Sequence, residues 1–255
     1  MSLLAVERIK LFSTRSPWWC MALVVAFGLG FGTLIAALPG DFPITVGATQ
    51  FGIAFGQAVI MVLAAIAVTS EYRFGTIRAT FTAVPNRTAV LLAKTVVVAL
   101  VSALVGLVSA FGAWGIAYLI GPEGADLAIN SGAEWRAVAG QGLVYGLIAI
   151  AAVGAGLLVR QTAGAISLLL VWWLIIEGII VSILESFDLH LTRWMPFANA
   201  SNFVTAGDPS ANGEAQGGPM IDYPFGGPWG SLGYFATVAV VLLVIGIIVA
   251  NRRDA

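Results

Sequence analysis

The residues best able to do chemistry in this sequence lie in one charged segment, Glu71 to Lys94. Only 10% of the 255 residues are charged. This segment nevertheless carries Glu71, Arg73, Arg78, Arg87 and Lys94. Side chains of this kind form ion pairs and charge-assisted hydrogen bonds. Apolar runs flank the segment, so it is predicted to be held at one face of a membrane and to contact another protein. It contains no catalytic candidate.

A second candidate is Glu177, the one ionisable residue well inside an apolar run. A charge at the centre of a membrane helix costs roughly 2.5–3.5 kcal/mol on insertion scales. Glu177 could therefore line a substrate pathway, or it could be a carboxyl that is neutral or hydrogen-bonded to a neighbouring helix. Trp172 and Trp173 precede it, and they are candidates either for the pathway lining or for ordinary packing.

The sequence lacks the residues that several kinds of catalytic site require. The two lysines, Lys10 and Lys94, do not follow the glycine-rich pattern of a phosphate-binding loop. With one histidine, His190, and one cysteine, Cys20, a cluster of metal ligands is not expected. The sequence therefore predicts no catalytic residue, metal or cofactor in this chain, and no nucleic-acid partner.

The elements that must position these residues are membrane helices. The chain is 59% hydrophobic, whereas soluble domains are nearer half apolar and about a quarter charged. A helix needs roughly 20 apolar residues to cross a bilayer. The apolar runs are continuous, which favours helices over alternating barrel strands. We predict an all-α integral membrane protein, one transmembrane domain over 1–255, with spans at about 18–38, 50–70, 95–120, 137–159, 161–184 and 231–250.

The basic residues predict the orientation of these spans. Lys and Arg near span ends collect on the cytoplasmic side. Six spans place ten of the twelve Lys and Arg residues on one side and leave Arg136 and Arg193 on the other. We therefore expect a multi-pass protein of the cell membrane with both termini in the cytoplasm.

Two segments outside the spans also carry patterns. Residues 2–12 fit an interfacial amphipathic helix. Its apolar face would carry Leu4, Ile9, Leu11 and Phe12, and its polar face Glu7, Arg8 and Lys10. The outer loop, 185–230, begins with an apolar part that predicts short re-entrant helices.

The charged segment itself predicts a short helix between spans two and three. Glu71, Gly75 and Arg78 are spaced so that they can lie along one helical face. Pro85 should end that helix, because the residue before proline disfavours α geometry.

The sequence resembles the permease subunit of type-2 ABC exporters, the six-helix class. The resemblance covers essentially the whole chain. Its most specific residues are Glu71-Tyr72-Arg73, Gly75-Thr76-Ile77-Arg78, Pro85-Asn86-Arg87 and Lys94. The N-terminal helix resembles the family's connecting helix. The stretch Trp194-Met195-Pro196-Phe197 resembles the one before its re-entrant helices, with Met195 where leucine is usual.

The resemblance implies an ATP-driven exporter. Two permease chains, identical or related, would form the pathway within membrane lipid, and two separate ATPase subunits would bind ATP and Mg. The segment from 71 to 94 would be the coupling helix that docks on the ATPase. The residues so assigned are Glu71, Tyr72, Arg73, Gly75, Thr76, Arg78, Pro85 and Arg87.

Two other functions stay open. A secondary transporter would use buried charges for ion coupling, and only Glu177 qualifies. A scaffold or immunity protein that transports nothing would share the same six spans. The transported substrate is not readable from the sequence.

Overall fold

The computed structural model describes residues 3–37, 44–84, 86–180, 183, 187, 191–206 and 225–253, with the Arg78 side chain left out. Within these ranges the chain is helical, and the only strand-like pairing is a single bridge between Thr45 and Asp126. Two residues singled out above, Pro85 and His190, lie outside the described residues.

Nine α-helices follow one another along the described parts of the chain. They are α1 (Leu3–Phe12), α2 (Arg15–Ala37), α3 (Ile53–Arg73), α4 (Thr76–Ala83), α5 (Arg87–Ile120), α6 (Gly132–Val159), α7 (Thr162–Leu170), α8 (Pro196–Thr205) and α9 (Pro228–Arg253). A π-helix, Val171–Ile180, continues α7, and 3-10 turns occur at Ala48–Gln50 and Thr192–Trp194.

Six helical segments are long and apolar enough to cross a membrane, as predicted for a multi-pass protein. They are Arg15–Ala37, Ala48–Arg73, Arg87–Ile120, Gly132–Val159, Thr162–Ile180 and Pro228–Arg253. The third differs most from its predicted bounds. It begins at Arg87 instead of near residue 95, because Asn86 caps it by accepting a hydrogen bond from the Ala89 amide. Its 34 residues span about 51 Å, which exceeds the hydrocarbon core of about 30 Å.

The helix α6 lies at the centre of the bundle. Its most apolar window is 67% buried, against 17% for the fifth span, and α3, α5, α7 and α9 all pack on it. Small residues make this possible. A Cβ on Gly154 would lie 2.8 Å from the backbone of α9, so the two helices touch backbone to backbone, as glycine-rich membrane helices do.

Tyr145 joins three of these helices. It is fully buried on α6, and its hydroxyl donates to the Ile53 carbonyl of α3 at 2.7 Å. Gly56 of α3 and Gly106 of α5 make room for it, since a Cβ at either position would lie within 2.6 Å of the tyrosine. The side chain thus fixes the spacing of α3, α5 and α6.

The helix ends that carry most basic residues meet at one end of the bundle, which we call the charged end. Arg160 caps α6 there in the left-handed conformation, with φ of 59°. Its guanidinium lies 4.9 Å from the Tyr72 ring at the end of α3 and donates to the carbonyls of Val249 and Ala250 in α9. Asn251 donates to Thr88 at the start of α5.

We expect Gly106→Ala to destabilise the bundle by about 1–3 kcal/mol, because the added methyl overpacks against the Tyr145 ring. Gly115→Ala on the same helix is the control, since no heavy atom lies within 4 Å of its Cβ position. It should be neutral or slightly stabilising. Unfolding free energies from an SDS titration in mixed micelles measure both, and equal losses would contradict the role of Tyr145.

Candidate functional site

Four charged side chains meet inside the charged end, and we call them the ion quartet: Glu7, Lys10, Glu71 and Lys94. Glu7 and Lys94 are nearly inaccessible, 4% and 5% exposed. The Lys94 ammonium donates to Glu7 at 2.5 Å and to Glu71 at 3.0 Å. A buried ion is tolerated only when it is paired and hydrogen-bonded. The quartet meets that condition with two carboxylates and two ammonium groups.

Lys10 closes the quartet from the more accessible side. Its ammonium lies 3.0 Å from Glu7 and 3.3 Å from Glu71, and it also donates to the Thr80 hydroxyl at 3.2 Å. Burial lowers the pKa of Lys10. The hydrogen bond to Glu7 and the negative charge of Glu71 outweigh burial, so that its pKa lies above the ordinary value. Lys10 is therefore a permanent cation in this site.

The quartet fastens four helices together. Glu7 and Lys10 belong to α1, Glu71 to the last turn of α3 and Lys94 to α5, while the Thr80 contact adds α4. The early start of α5 places Lys94 two turns inside that helix. The charges therefore hold the N-terminal helix and the connection between spans two and three against the bundle.

The predicted single helical face of Glu71, Gly75 and Arg78 is wrong. α3 runs through Glu71 to Arg73 and then stops, because Gly75 adopts a left-handed conformation with φ of 69°. Glycine takes that conformation without steric cost. Glu71 therefore points into the bundle from α3, while Thr76 opens the separate helix α4.

The break leaves an exposed tip on the charged end. Arg73, Phe74, Gly75 and Thr76 are all exposed, and the Phe74 ring is 72% exposed with the Arg73 guanidinium 5.5 Å from its centroid. We call these four residues the tip. An exposed aromatic beside an arginine is the composition that protein interfaces favour at their strongest contacts.

The remaining predicted residues around α4 hold it in place. The Arg87 guanidinium lies 5.4 Å from the Phe81 ring, which joins the start of α5 to α4. Tyr72 is half-buried under Arg160. Val84 is extended and ends α4, as expected of a residue before proline.

Sequence reasoning missed Glu7, Lys10, Thr80 and Phe74 as members of this region. It assigned Glu7 to the polar face of α1, opposite Leu11, but both side chains are buried while Leu4 and Ile9 are exposed. One signal was available, because the only two lysines of the chain both belong to the quartet.

Glu177 lies in a second polar cluster, toward the opposite end of the bundle. It is 8% exposed, and its carboxylate accepts from the Trp172 indole at 2.6 Å and from the amides of Phe197 and Ala198 at 2.8 and 3.0 Å. Trp172 is five residues away, and a π-helix links residues at that spacing. Trp173 packs against the Phe197 ring, with centroids 6.4 Å apart. The structure thus brings these three candidates together around the first turn of α8.

Arg136 of α6 holds the other end of α8. Its guanidinium donates to the carbonyls of Phe203, at 2.6 Å, and Ala206. A carboxylate at the N-terminus of α8 and a cation at its C-terminus both interact favourably with the helix dipole. Met195 and Pro196 supply no cap of their own, so Glu177 does from a neighbouring helix what an N-cap side chain normally does. Whether Glu177 also lines a pathway stays a prediction.

The described residues contain no group of three histidine, cysteine or acidic side chains that could hold a metal ion. The quartet balances its own charges, and its ion pairs join α1, α3 and α5.

We expect Lys94→Met to cost about 3–5 kcal/mol of unfolding free energy, because two buried carboxylates would then share one ammonium. Adding Glu7→Gln should recover part of that loss. Lys10→Met is the control and should cost less, since the Lys10 side chain is 35% exposed. An SDS titration measures all four proteins, and an unrecovered loss in the double variant would contradict the pairing.

We expect Glu177→Ala to speed amide exchange at Phe197 and Ala198 by freeing both amides. Trp172→Phe removes a donor to the same carboxylate without touching α8, so it should leave that exchange nearly unchanged. Hydrogen–deuterium exchange of the purified protein followed by peptide mass analysis measures this. Equal protection in Glu177→Ala and the native chain would show that the cap does not hold α8.

No protein-family model matches the chain, and no curated protein matches it. The features that bear on function are therefore the quartet, the tip and the arrangement of the six long helices.

Proposed function

We propose that this chain is the membrane-spanning subunit of an ATP-driven ABC exporter, coupled to a separate ATPase subunit through the tip and α4. The observation that carries the proposal is an exposed tip and an eight-residue helix between the second and third spans, which Thr80 links to Lys10 of the ion quartet. This agrees with the resemblance carried by the residues from Glu71 to Lys94.

The attachment suits the transmission of force. A push on α4 reaches Lys10 through Thr80 and reaches α5 through the contact of Phe81 with Arg87. Lys94 is buried near the end of the third span, and Glu71 is partly buried at the end of the second. A displacement of α4 would therefore tilt both spans and α1 together. A flexible loop would absorb the same push.

The proposal assigns the charged end to the cytoplasm. The basic residues gathered there follow the rule that cytoplasmic span ends are basic. Both termini would then be cytoplasmic, α1 would lie in the membrane interface with Leu4 and Ile9 toward lipid, and α8 would be a re-entrant helix on the outer side. The membrane would be the cell membrane.

The partners follow from the same assignment. Two copies of an ATPase subunit would bind ATP and Mg, and a second permease chain, identical or related, would complete the pathway. This chain would bind no nucleotide itself. Glu177, Trp172 and Trp173 remain the candidates for residues near the pathway.

We expect Arg73→Glu and Phe74→Ala each to weaken binding of the ATPase subunit about tenfold or more, because each removes a contact worth about 1.4 kcal/mol or more. The assay is co-purification and coupled ATPase activity in nanodiscs, with ABC ATPase subunits of the same organism added one at a time. Arg253→Glu is the matched control, since it makes the same charge change on an exposed residue of the charged end.

Unchanged binding and ATPase activity in both tip variants would contradict the proposal. Substrate uptake into inverted vesicles separates it from the other functions. Uptake that persists without ATP but stops when the proton gradient collapses would identify a secondary transporter, and no uptake with the ATPase present would favour a scaffold or immunity protein.

A further inference from the structure

A cavity of about 320 Å³ lies beside the ion quartet, between α1, the start of α2 and the facing sides of α3 and α5. Its lining is divided along its length. One end is charged and hydroxylated: Glu7, Lys10, Ser13, Thr14, Ser16, Ser70, Glu71, Thr76 and Lys94. The other end is apolar, with Leu63, Ile66, Val97 and Val98 among its residues. A cavity of this form fits a molecule with a polar head and an apolar chain.

The residues of α3 that line the cavity extend from Leu63 to Glu71. Leu63 precedes Glu71 by eight residues, which is about 12 Å along a helix. That length accommodates a headgroup and the first carbons of an acyl chain. The remaining chain would extend past the cavity along the apolar surface of the spans.

The polar end of the cavity lies at the level of a bilayer interface. Ser16 and Pro17 line it, and the next residues, Trp18 and Trp19, are 57% and 70% exposed. Exposed tryptophans at the end of a span mark the headgroup region of a membrane. A lipid headgroup is therefore already present at this depth.

The hydrogen-bonding groups of the polar end are mostly acceptors. The three ammonium protons of Lys10 go to Glu7, Glu71 and Thr80. The Ser13 and Thr14 hydroxyls donate to backbone carbonyls, which leaves their oxygens able to accept. Both lysines donate to Glu71 Oε1. Among the described residues, none donates to Glu71 Oε2.

We infer that this cavity binds a lipid whose headgroup carries a primary ammonium, as phosphatidylethanolamine does. The ammonium donates to Glu71 Oε2 and to the Ser13 and Thr14 oxygens, and the acyl chain lies against Leu63 and Val98. Lys94 has two partners among the described residues, so its third proton can bind the phosphodiester. A quaternary ammonium has no N–H to donate, and an anionic head without an amine would meet the Glu71 charge.

This site is separate from the proposed transport function. The lipid would be a resident component that fills the space between α1 and the bundle, and the site needs no ATPase subunit. A coupling experiment that contradicts the transport function would not contradict the lipid site. A lipid experiment that contradicts the site would not contradict the transport function.

The test uses the full chain in nanodiscs of equimolar phosphatidylethanolamine, phosphatidylcholine and phosphatidylglycerol, followed by native mass spectrometry of the lipid that the protein retains. We expect phosphatidylethanolamine to be retained about tenfold over phosphatidylcholine, as one charge-assisted hydrogen bond would give. Equal retention of the two, or preferred retention of phosphatidylglycerol, would overturn the inference.

Two variants locate the retained lipid. Ala67→Phe fills the cavity without changing a charge, and Glu71→Gln removes the acceptor charge while keeping the side-chain size. Both variants should lower the retention of phosphatidylethanolamine to the level that phosphatidylcholine shows in the native protein. Ala54→Phe is the control, because it places the same side chain at an exposed position of the same helix. Unchanged retention of phosphatidylethanolamine in both cavity variants would overturn the assignment of the lipid to this cavity.

A final arm separates the lipid from its free headgroup. Excess soluble glycerophosphoethanolamine offers the same ammonium without an acyl chain. The inference expects it not to displace the retained lipid, since the apolar end of the cavity contributes to binding. Displacement at low excess would overturn the assignment to a lipid and identify a water-soluble amine as the ligand.

Discussion

The compensation of buried charge at the charged end is the interaction on which this arrangement depends. Lys94 lies two turns inside a long helix and is 5% exposed, so it requires a carboxylate within hydrogen-bonding distance. Glu7 supplies one from α1, and Glu71 supplies another from the end of α3. Each partner comes from a different helix, so satisfying the charge also fixes the positions of those helices. This explains how a ten-residue N-terminal helix stays attached to the bundle.

The same physical rule operates toward the opposite end. Glu177 and Arg136 are costly in apolar surroundings, and each is satisfied by one terminus of α8. The amides of the first turn of α8 and the carbonyls of its last turn are thereby hydrogen-bonded, as backbone groups away from water must be. These charged residues therefore hold two segments that do not span, α1 and α8, against the long helices. If the chain is a transport subunit, those segments are the ones through which partners and substrate would act on the spans.

The six long helices were predictable because a hydrocarbon core demands continuous apolar runs, and such runs are visible in the sequence. The end of α4 was predictable from the conformational restriction before Pro85. The break at Gly75 was not, since glycine also occurs inside membrane helices. The pairing of Glu7 with Lys94 joins residues 87 apart and depends on packing that no local pattern encodes. The π-helix around Glu177 and the capping of α8 by Arg136 likewise arise from contacts between helices.

The most direct test of the account is a spin-label distance between Arg8 of α1 and Ala79 of α4, both exposed, in a Cys20→Ser background. Electron–electron double resonance in nanodiscs would measure this distance with and without Lys94→Met. The account predicts one narrow distribution for the native quartet and a broad one after Lys94→Met, because Glu7 of α1 loses the buried Lys94 ammonium that attaches α1 to α5. A distribution that stays narrow in Lys94→Met, or that is already broad in the native chain, would contradict the claim that the ion quartet holds these helices together.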